Sequence, residues 1–203
     1  MKKLPLSFYA NKDVVQVAKD LIGMLVVTRV NDVFTSGRIV ETEAYKAIID
    51  KASHSYRGKR TARNEDMYAA AGTVYIYICY GMHHMLNVVT NEKEIPDAIL
   101  IRAIEPVAGI EFMMKRTGKK RDDLNITRGP GNLAKALGIQ KKHSGLHFTG
   151  HHIMLYQDGH SQIPEHAIGT SKRIGVASAG DDALLPYRFY LKGNKYVSAR
   201  PKK

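Results

Sequence analysis

The sequence has no tryptophan and a single cysteine, Cys79, in 203 residues. One cysteine excludes an internal disulfide framework and a cysteine-rich zinc site. No apolar run approaches the ~20 residues that a membrane-spanning helix needs. The N-terminal stretch carries lysines but neither a long apolar segment nor a cleavage site, so we expect no secretion and no membrane partner.

Acidic residues are also scarce, with 19 Asp and Glu against 31 Lys and Arg, which gives a net charge of +12. This excess is typical of domains that bind a polyanion such as nucleic acid, although a basic surface can also serve solubility alone. The hydrophobic and charged fractions, 44% and 25%, are those of a globular chain. At ~150 residues per domain, the length predicts one domain over residues 1–203.

Hydrophobic periodicity predicts strands and helices without regular βαβ alternation. The pattern predicts a helix over 13–22, which Asn11 or Asp13 would cap, a short helix around 64–71, a helix over 107–118 and another that begins at 133. Strands are predicted at 24–30, 37–45, 73–81, 85–91, 98–106, 151–157, 171–177 and 187–193, with a turn over 31–37. This order indicates an α+β domain with a mixed antiparallel sheet.

Two carboxylates lie in the second predicted strand, where alternation places Ile39, Glu41, Glu43 and Tyr45 on one face. They fit an edge strand with solvated carboxylates, or a general base held beside an aromatic wall. Arg102 lies inside another apolar strand and is a candidate partner, because a buried arginine is costly without a carboxylate beside it.

Tyrosines mark the strand 73–81. Tyr75 and Tyr77 share one face with Cys79, whereas Tyr80 stands at the end of the strand, where its side chain can project outward.

The segment 54–64, HSYRGKRTARN, carries four cationic side chains: Arg57, Lys59, Arg60 and Arg63. They form either a solvated basic loop or a grip on phosphates. His54, at the start of the segment, is either a pocket wall or a capping or core residue.

Nine histidines suggest a metal site, but their spacing does not support one. His143 and His147 are four residues apart, yet Ser144 and Gly145 between them argue against a helix, and no HExxH motif occurs. Glycine-rich nucleotide-binding motifs and a GxSxG elbow are absent too. We predict no metal and no cofactor.

Several segments together resemble one family. RIVETEAY (38–45), SHSYRGKRTARN (53–64), GTVYIYICYGMHHMLNVV (72–89), AILIRAIEP (98–106), RGPGNLAKALGI (128–139), RIGV (173–176) and PYRFY (186–190) stand in the order seen in alkyladenine DNA glycosylases. The resemblance covers about residues 5–195. It implies an α+β fold with a curved, open, barrel-like antiparallel sheet and flanking helices, like the C-terminal domain of methionyl-tRNA formyltransferase.

The resemblance also implies roles for individual residues. Glu43 matches the general base that activates water, and Arg102 matches the residue that helps to hold this water. The remaining matches are Tyr45, His54 and Tyr77 as walls around a flipped base, Asn87 as an amide at the pocket floor, and Tyr80 with Met82 as the element inserted into DNA.

The implied activity is excision of alkylated or deaminated purines (3-methyladenine, 7-methylguanine, hypoxanthine, ethenoadenine) by water attack on the N-glycosidic bond, in base excision repair. Water as nucleophile implies a monofunctional enzyme without a strand-cleaving step. The expected partner is double-stranded DNA with a damaged purine. We expect a monomer in the bacterial cytoplasm, associated with the nucleoid through DNA.

Two features depart from the family pattern: His83-His84 stands where relatives carry an aromatic residue, and 46–49 replaces a common spacer. Two other hypotheses remain. Basic charge and tyrosines would also suit a non-enzymatic DNA- or RNA-binding module, and the histidines a metal-dependent hydrolase.

Overall fold

The strands of the chain form one open antiparallel sheet in the computed structural model, which describes residues 1–198. The strands are β1 (Lys2–Lys3), β2 (Leu25–Val30), β3 (Val33–Tyr45), β4 (Val74–Cys79), β5 (His83–Thr90), β6 (Asp97–Ala108), β7 (Ile153–Gln157), β8 (Ile168–Ser171) and β9 (Arg188–Leu191). The α-helices are α1 (Leu6–Tyr9), α2 (Val14–Asp20), α3 (Ile110–Thr117) and α4 (Pro130–Leu137). The fold class is therefore α+β, as predicted.

The sheet divides at β3. Its strand order is β1-β7-β2-β3-β6-β5-β4, and β9 pairs with both β3 and β8. The first half of β3 pairs with β2, residues 41–43 pair with β9, and β6 follows the other edge of β3. The register between β3 and β6 shifts on both sides of Glu41. Such irregularities bend a strand and re-aim its side chains, here where β3 exchanges one neighbour for another.

Helices cover the apolar face of the sheet. Val17 and Ala18 of α2 and Leu133 and Leu137 of α4 are buried in the same core cluster as Ile76 of β4. Asp13 caps the N-terminus of α2, as predicted, because its carboxylate accepts from the Val15 and Gln16 amides. Because the helices pack on one face of the sheet, the other face of β4, β5 and β6 is free to form a pocket.

The structure corrects several predicted boundaries. Asn31 and Asp32, with φ of 52° and 57°, form the whole turn, so β3 begins at Val33 and not at 37. β6 extends to Ala108, which delays α3 to Ile110. Pro130, whose fixed φ suits the first turn of a helix, begins α4 three residues before the predicted start.

One further prediction was wrong. The predicted strand 171–177 keeps only Ser171 in β8; Arg173 turns inward to Asp50, and Gly175 has φ of 76°. The short helix predicted around 64–71 is confirmed as a 3-10 helix, Glu65–Tyr68. None of the helices formed by residues 1–198 combines the length and apolarity needed to cross a membrane.

Candidate active site

A cavity of about 500 Å³ opens on the face of β4, β5 and β6 that the helices leave free. It also receives loop residues around 51–54 and 174–178. The predicted pocket residues Tyr45, His54, Tyr77, Asn87 and Arg102 all line it. The sheet and its loops therefore bring these five residues, which are spread from position 45 to position 102 in the sequence, to one site.

Glu43 is fully buried and does not itself line the cavity, but the three residues that donate hydrogen bonds to it, Tyr45, Arg102 and Ile174, all do. Its Oε2 accepts hydrogen bonds from the Tyr45 hydroxyl at 2.7 Å and from Arg102 Nη1 at 3.2 Å, and its Oε1 accepts from the Ile174 amide at 2.8 Å. A carboxylate offers about four acceptor positions, and these donors occupy three of them. The carboxylate is both fixed in orientation and able to accept a proton.

The protonation of Glu43 is set by opposing effects. Burial raises the pKa of Glu43, and it outweighs the lowering by the positive charge of Arg102 and by the Ile174 and Tyr45 hydrogen bonds. A carboxylate with a raised pKa is a stronger base once ionised, which suits proton abstraction near neutral pH.

Glu41, the second carboxylate of the pair, has a different environment. Its oxygens accept from Arg102 Nε at 3.0 Å, Arg188 Nε at 2.7 Å and the Ser198 amide at 2.7 Å. Burial raises the pKa of Glu41, but Arg102, Arg188 and Ser198 together lower it below its ordinary value. Glu41 is thus the ionised partner of two arginines, whereas Glu43 is held by three residues that line the pocket.

Glu41 and Glu43 are buried, so they are not the solvated carboxylates of an edge strand. The prediction that Ile39 shares one face of β3 with them was wrong. Ile39 belongs to the apolar core, whereas Glu41 and Glu43 both reach Arg102. The register shifts beside Glu41 account for this difference, because an extra residue interrupts the alternation of faces.

The aromatic residues form a connected wall. The His54 and Tyr77 rings meet edge to face with centroids 4.6 Å apart, and His54 Nδ1 lies 2.9 Å from the Tyr75 hydroxyl. Burial, followed by the charges of Arg63 and Lys59, lowers the pKa of His54, which favours the neutral ring. Tyr75 did not enter the predicted set of site residues, although alternation had placed it on the same face as Tyr77.

Asn87 is buried at the base of the cavity, on β5. Its Nδ2 donates to the carbonyl oxygens of Tyr75 and Met85 at 3.2 and 3.0 Å. These two bonds fix the plane of the amide, so Asn87 presents a constant shape to whatever occupies the pocket.

The hairpin between β4 and β5 projects from the cavity mouth. Tyr80 is 89% exposed and Met82 is 69% exposed. Tyr80 has φ of 49° and Gly81 has φ of 71°, a left-handed pair that makes a tight turn. The turn therefore holds two large apolar side chains in water, at a conformation that is uncommon for tyrosine.

The cationic residues of the loop 54–64 are not equivalent. Arg60 pairs with Glu65 and with Glu94, the latter at 2.6 Å, and Arg63 donates to the Ile78 carbonyl at 3.2 Å beside the Tyr77 ring. Arg57 and Lys59 are exposed, and within residues 1–198 neither forms an ion pair.

Two of the histidines outside the pocket have structural contacts. His143 accepts from the Gln140 amide, and His147 Nε2 lies 2.7 Å from the Ala71 carbonyl. In the described part of the chain, no three His, Cys, Asp or Glu side chains are grouped in a way that could hold a metal ion.

Comparison with known proteins places the chain in a family. The model of the family described as methylpurine-DNA glycosylase matches residues 7–195. Three similar proteins each bear the name "Putative 3-methyladenine DNA glycosylase". One from Clostridium perfringens strain SM101 is 44% identical over 205 residues, 98% of this chain and 100% of that protein.

The second, from Desulfitobacterium hafniense, is 42% identical over 207 residues, 98% of this chain and 100% of its own length. The third, from Methanoculleus marisnigri, is 44% identical over 199 residues, 97% and 99% of the two chains. These matches identify the protein as a DNA glycosylase, a DNA-repair hydrolase that cleaves N-glycosyl bonds. The chain belongs to the methylpurine-DNA glycosylase family.

Proposed function

We propose that this enzyme removes alkylated or deaminated purines from double-stranded DNA by water attack on the N-glycosidic bond, as a monofunctional glycosylase. The observation that carries the proposal is the buried Glu43 carboxylate, which accepts hydrogen bonds from three residues that line an aromatic pocket. The names of the relatives support 3-methyladenine as one substrate. We extend the class to 7-methylguanine, hypoxanthine and ethenoadenine.

In the proposed reaction, a water molecule at the free acceptor position of Glu43 attacks C1′ of the flipped nucleotide. The C1′–N bond breaks and its electron pair leaves with the base, while Glu43 takes a proton from the water. The sugar keeps the hydroxyl, and an abasic site results. Arg102 would help to hold the water and fix the carboxylate, and no cofactor enters any step.

Purine recognition would rest on Tyr45, His54 and Tyr77. A base alkylated at N3 or N7 is cationic and would be attracted to the tyrosine faces by roughly 0.5–2 kcal/mol. Asn87, with its amide plane fixed, would exclude the 2-amino group of an unmodified guanine by sterics.

DNA binding would use the surface around the pocket mouth. Flipping a nucleotide costs a few kcal/mol, which Tyr80 and Met82 would offset by filling the gap in the stack. Arg57, Lys59, Arg60 and Arg63 would contact phosphates, Arg60 only by exchanging its bonds to Glu65 and Glu94. The enzyme would act as a monomer in the cytoplasm, on the chromosome.

At the level of architecture, we propose a single domain whose open sheet resembles the C-terminal domain of methionyl-tRNA formyltransferase. Superposition of the two Cα traces would test this likeness, and a sheet order that cannot be matched would remove it.

The activity is tested by single-turnover base release from duplexes that carry hypoxanthine, ethenoadenine or 3-methyladenine, in the presence of EDTA. We expect release by wild type and by the control E111Q, an exposed glutamate on α3, but not by E43Q. E43Q should still bind lesion DNA. Release by E43Q at the wild-type rate would remove Glu43 from the mechanism, and binding without release by wild type would support a binding module.

A further inference from the structure

Behind the pocket lies a second buried ion pair, which the proposed chemistry does not use. Arg173 donates to both carboxylate oxygens of Asp50, with Nη2 to Oδ1 at 2.8 Å, and both side chains are almost completely buried. The same guanidinium donates to the carbonyl oxygens of Ala44 at 2.9 Å and Asp182 at 3.0 Å. One side chain therefore joins β3 to three segments: the one that carries Asp50, the one that carries Asp182 and the one that carries Arg173 itself.

These loops carry parts of the active site. Asp50 lies four residues before His54, and Arg173 immediately precedes Ile174, whose amide holds Glu43 Oε1 at 2.8 Å. The Arg173 guanidinium also lies 4.8 Å from the centre of the Tyr45 ring. Glu43, Tyr45 and His54 thus share one anchor, which is not itself in the cavity lining.

The charge balance supports a fixed arrangement. Burial lowers the pKa of Arg173, but the hydrogen bonds and charge of Asp50, with smaller effects of Tyr45 and Glu43, outweigh it and raise the pKa. Removing one member of such a pair leaves a buried charge without its partner, so the loops would have to move to hydrate it.

We propose that Arg173 and Asp50 are a positioning pair for the glycosylase reaction: together they hold the Ile174 amide against Glu43 and the Tyr45 ring in place. This inference rests on the proposed function of Glu43. Neither residue touches the reacting atoms. Their effect is on the chemical step, because a small displacement of a reacting group from its working geometry slows the reaction steeply.

The test compares single-turnover base release at saturating enzyme with affinity for an abasic-site duplex, which needs the DNA surface but no base in the pocket. We expect R173M and D50N to slow the chemical step about tenfold or more, with little change in abasic-site affinity. The double variant should be no slower than R173M, because the two residues act as one unit. R173K, which keeps the charge but loses the two-pronged contact, should recover part of the rate.

A matched control exists in Arg38 and Asp158, a second two-pronged pair with contacts of 3.0 and 2.9 Å, whose residues do not line the cavity. R38M and D158N should lower the melting temperature but leave the chemical rate unchanged. If R173M fails to fold, D50N and R173K carry the test.

Wild-type chemical rates in D50N and R173K would overturn the positioning role. So would an equal loss of rate in R38M, because it would show an effect of stability alone. If wild type itself releases no base while E43Q behaves identically, the proposed function fails, and the inference fails with it.

Discussion

The Tyr45 hydroxyl lies 2.7 Å from Glu43 Oε2 and donates a hydrogen bond to it, so an aromatic wall of the pocket is joined to the proposed base. The contact stabilises the ionised carboxylate and lowers the pKa of Glu43 against the raising effect of burial. Tyr45 therefore has two separable functions, which lie in its ring and in its hydroxyl.

Y45F should separate them. The ring remains for stacking, but the loss of the donor raises the pKa of Glu43 further. Since the ionised carboxylate is the active form, the rate of base release should rise with pH through this pKa, and Y45F should move that rise to higher pH. Single-turnover rates across the acidic to neutral range measure the shift, and superimposable profiles would show that the hydroxyl is dispensable.

E41Q should destabilise the protein, because it leaves Arg102 and Arg188 without their common carboxylate. Removing one partner of a buried ion pair costs about 3–5 kcal/mol. The free energy of unfolding in urea measures this change. E92Q, which breaks the exposed Lys12–Glu92 pair, is the control and should have no measurable effect. Equal midpoints for E41Q and wild type would contradict the structural role of Glu41.

Y80A should weaken binding to an abasic-site duplex by about tenfold, because a stacking contact with DNA bases is worth ~1–3 kcal/mol. Y80F should bind like wild type, since it keeps the ring. F34A removes an exposed aromatic side chain next to a different hairpin turn and serves as the control. Affinities are measured by titration of labelled duplex, and a Y80A value equal to that of F34A would exclude the wedge.

The basic loop should show unequal contributions to salt dependence. Each lost phosphate contact reduces the slope of log affinity against log salt by about 1. R57A should show this change, whereas R60A should change the slope less, because Glu65 and Glu94 already neutralise Arg60. DNA titrations at several salt concentrations measure the slope for each variant. Identical slopes for R57A and R60A would show that Arg60 exchanges its glutamate partners for phosphates freely on DNA.

Local pattern predicted the strands of the pocket well. Alternation correctly separated Val74 and Ile76, which are in the core, from Tyr75 and Tyr77, which face the cavity. The pairing of Arg102 with carboxylates also followed from the cost of burying it alone. These predictions succeeded because each depends on residues in one strand or on a single strong physical requirement.

Other parts of the site depend on contacts between distant segments. Arg188 and Ser198 reach Glu41 from 147 and 157 residues away, and Arg173 reaches Asp50 from 123 residues away. Hydrophobic periodicity is a local pattern, so it does not predict contacts between residues so far apart in the sequence. The register shifts beside Glu41 were equally hidden, since they arise where β3 changes neighbours from β2 to β9.

The partners of Glu41 have a consequence for the order in which the protein is made. Synthesis delivers Glu41 and Arg102 early, but Arg188 and Ser198 come near the end of the described chain. Until then β3 lacks β9 beside it, and Glu43 also lacks the Ile174 amide. In a growing chain, the site that we propose to be catalytic is therefore complete only after the last strand of the described residues has been synthesised.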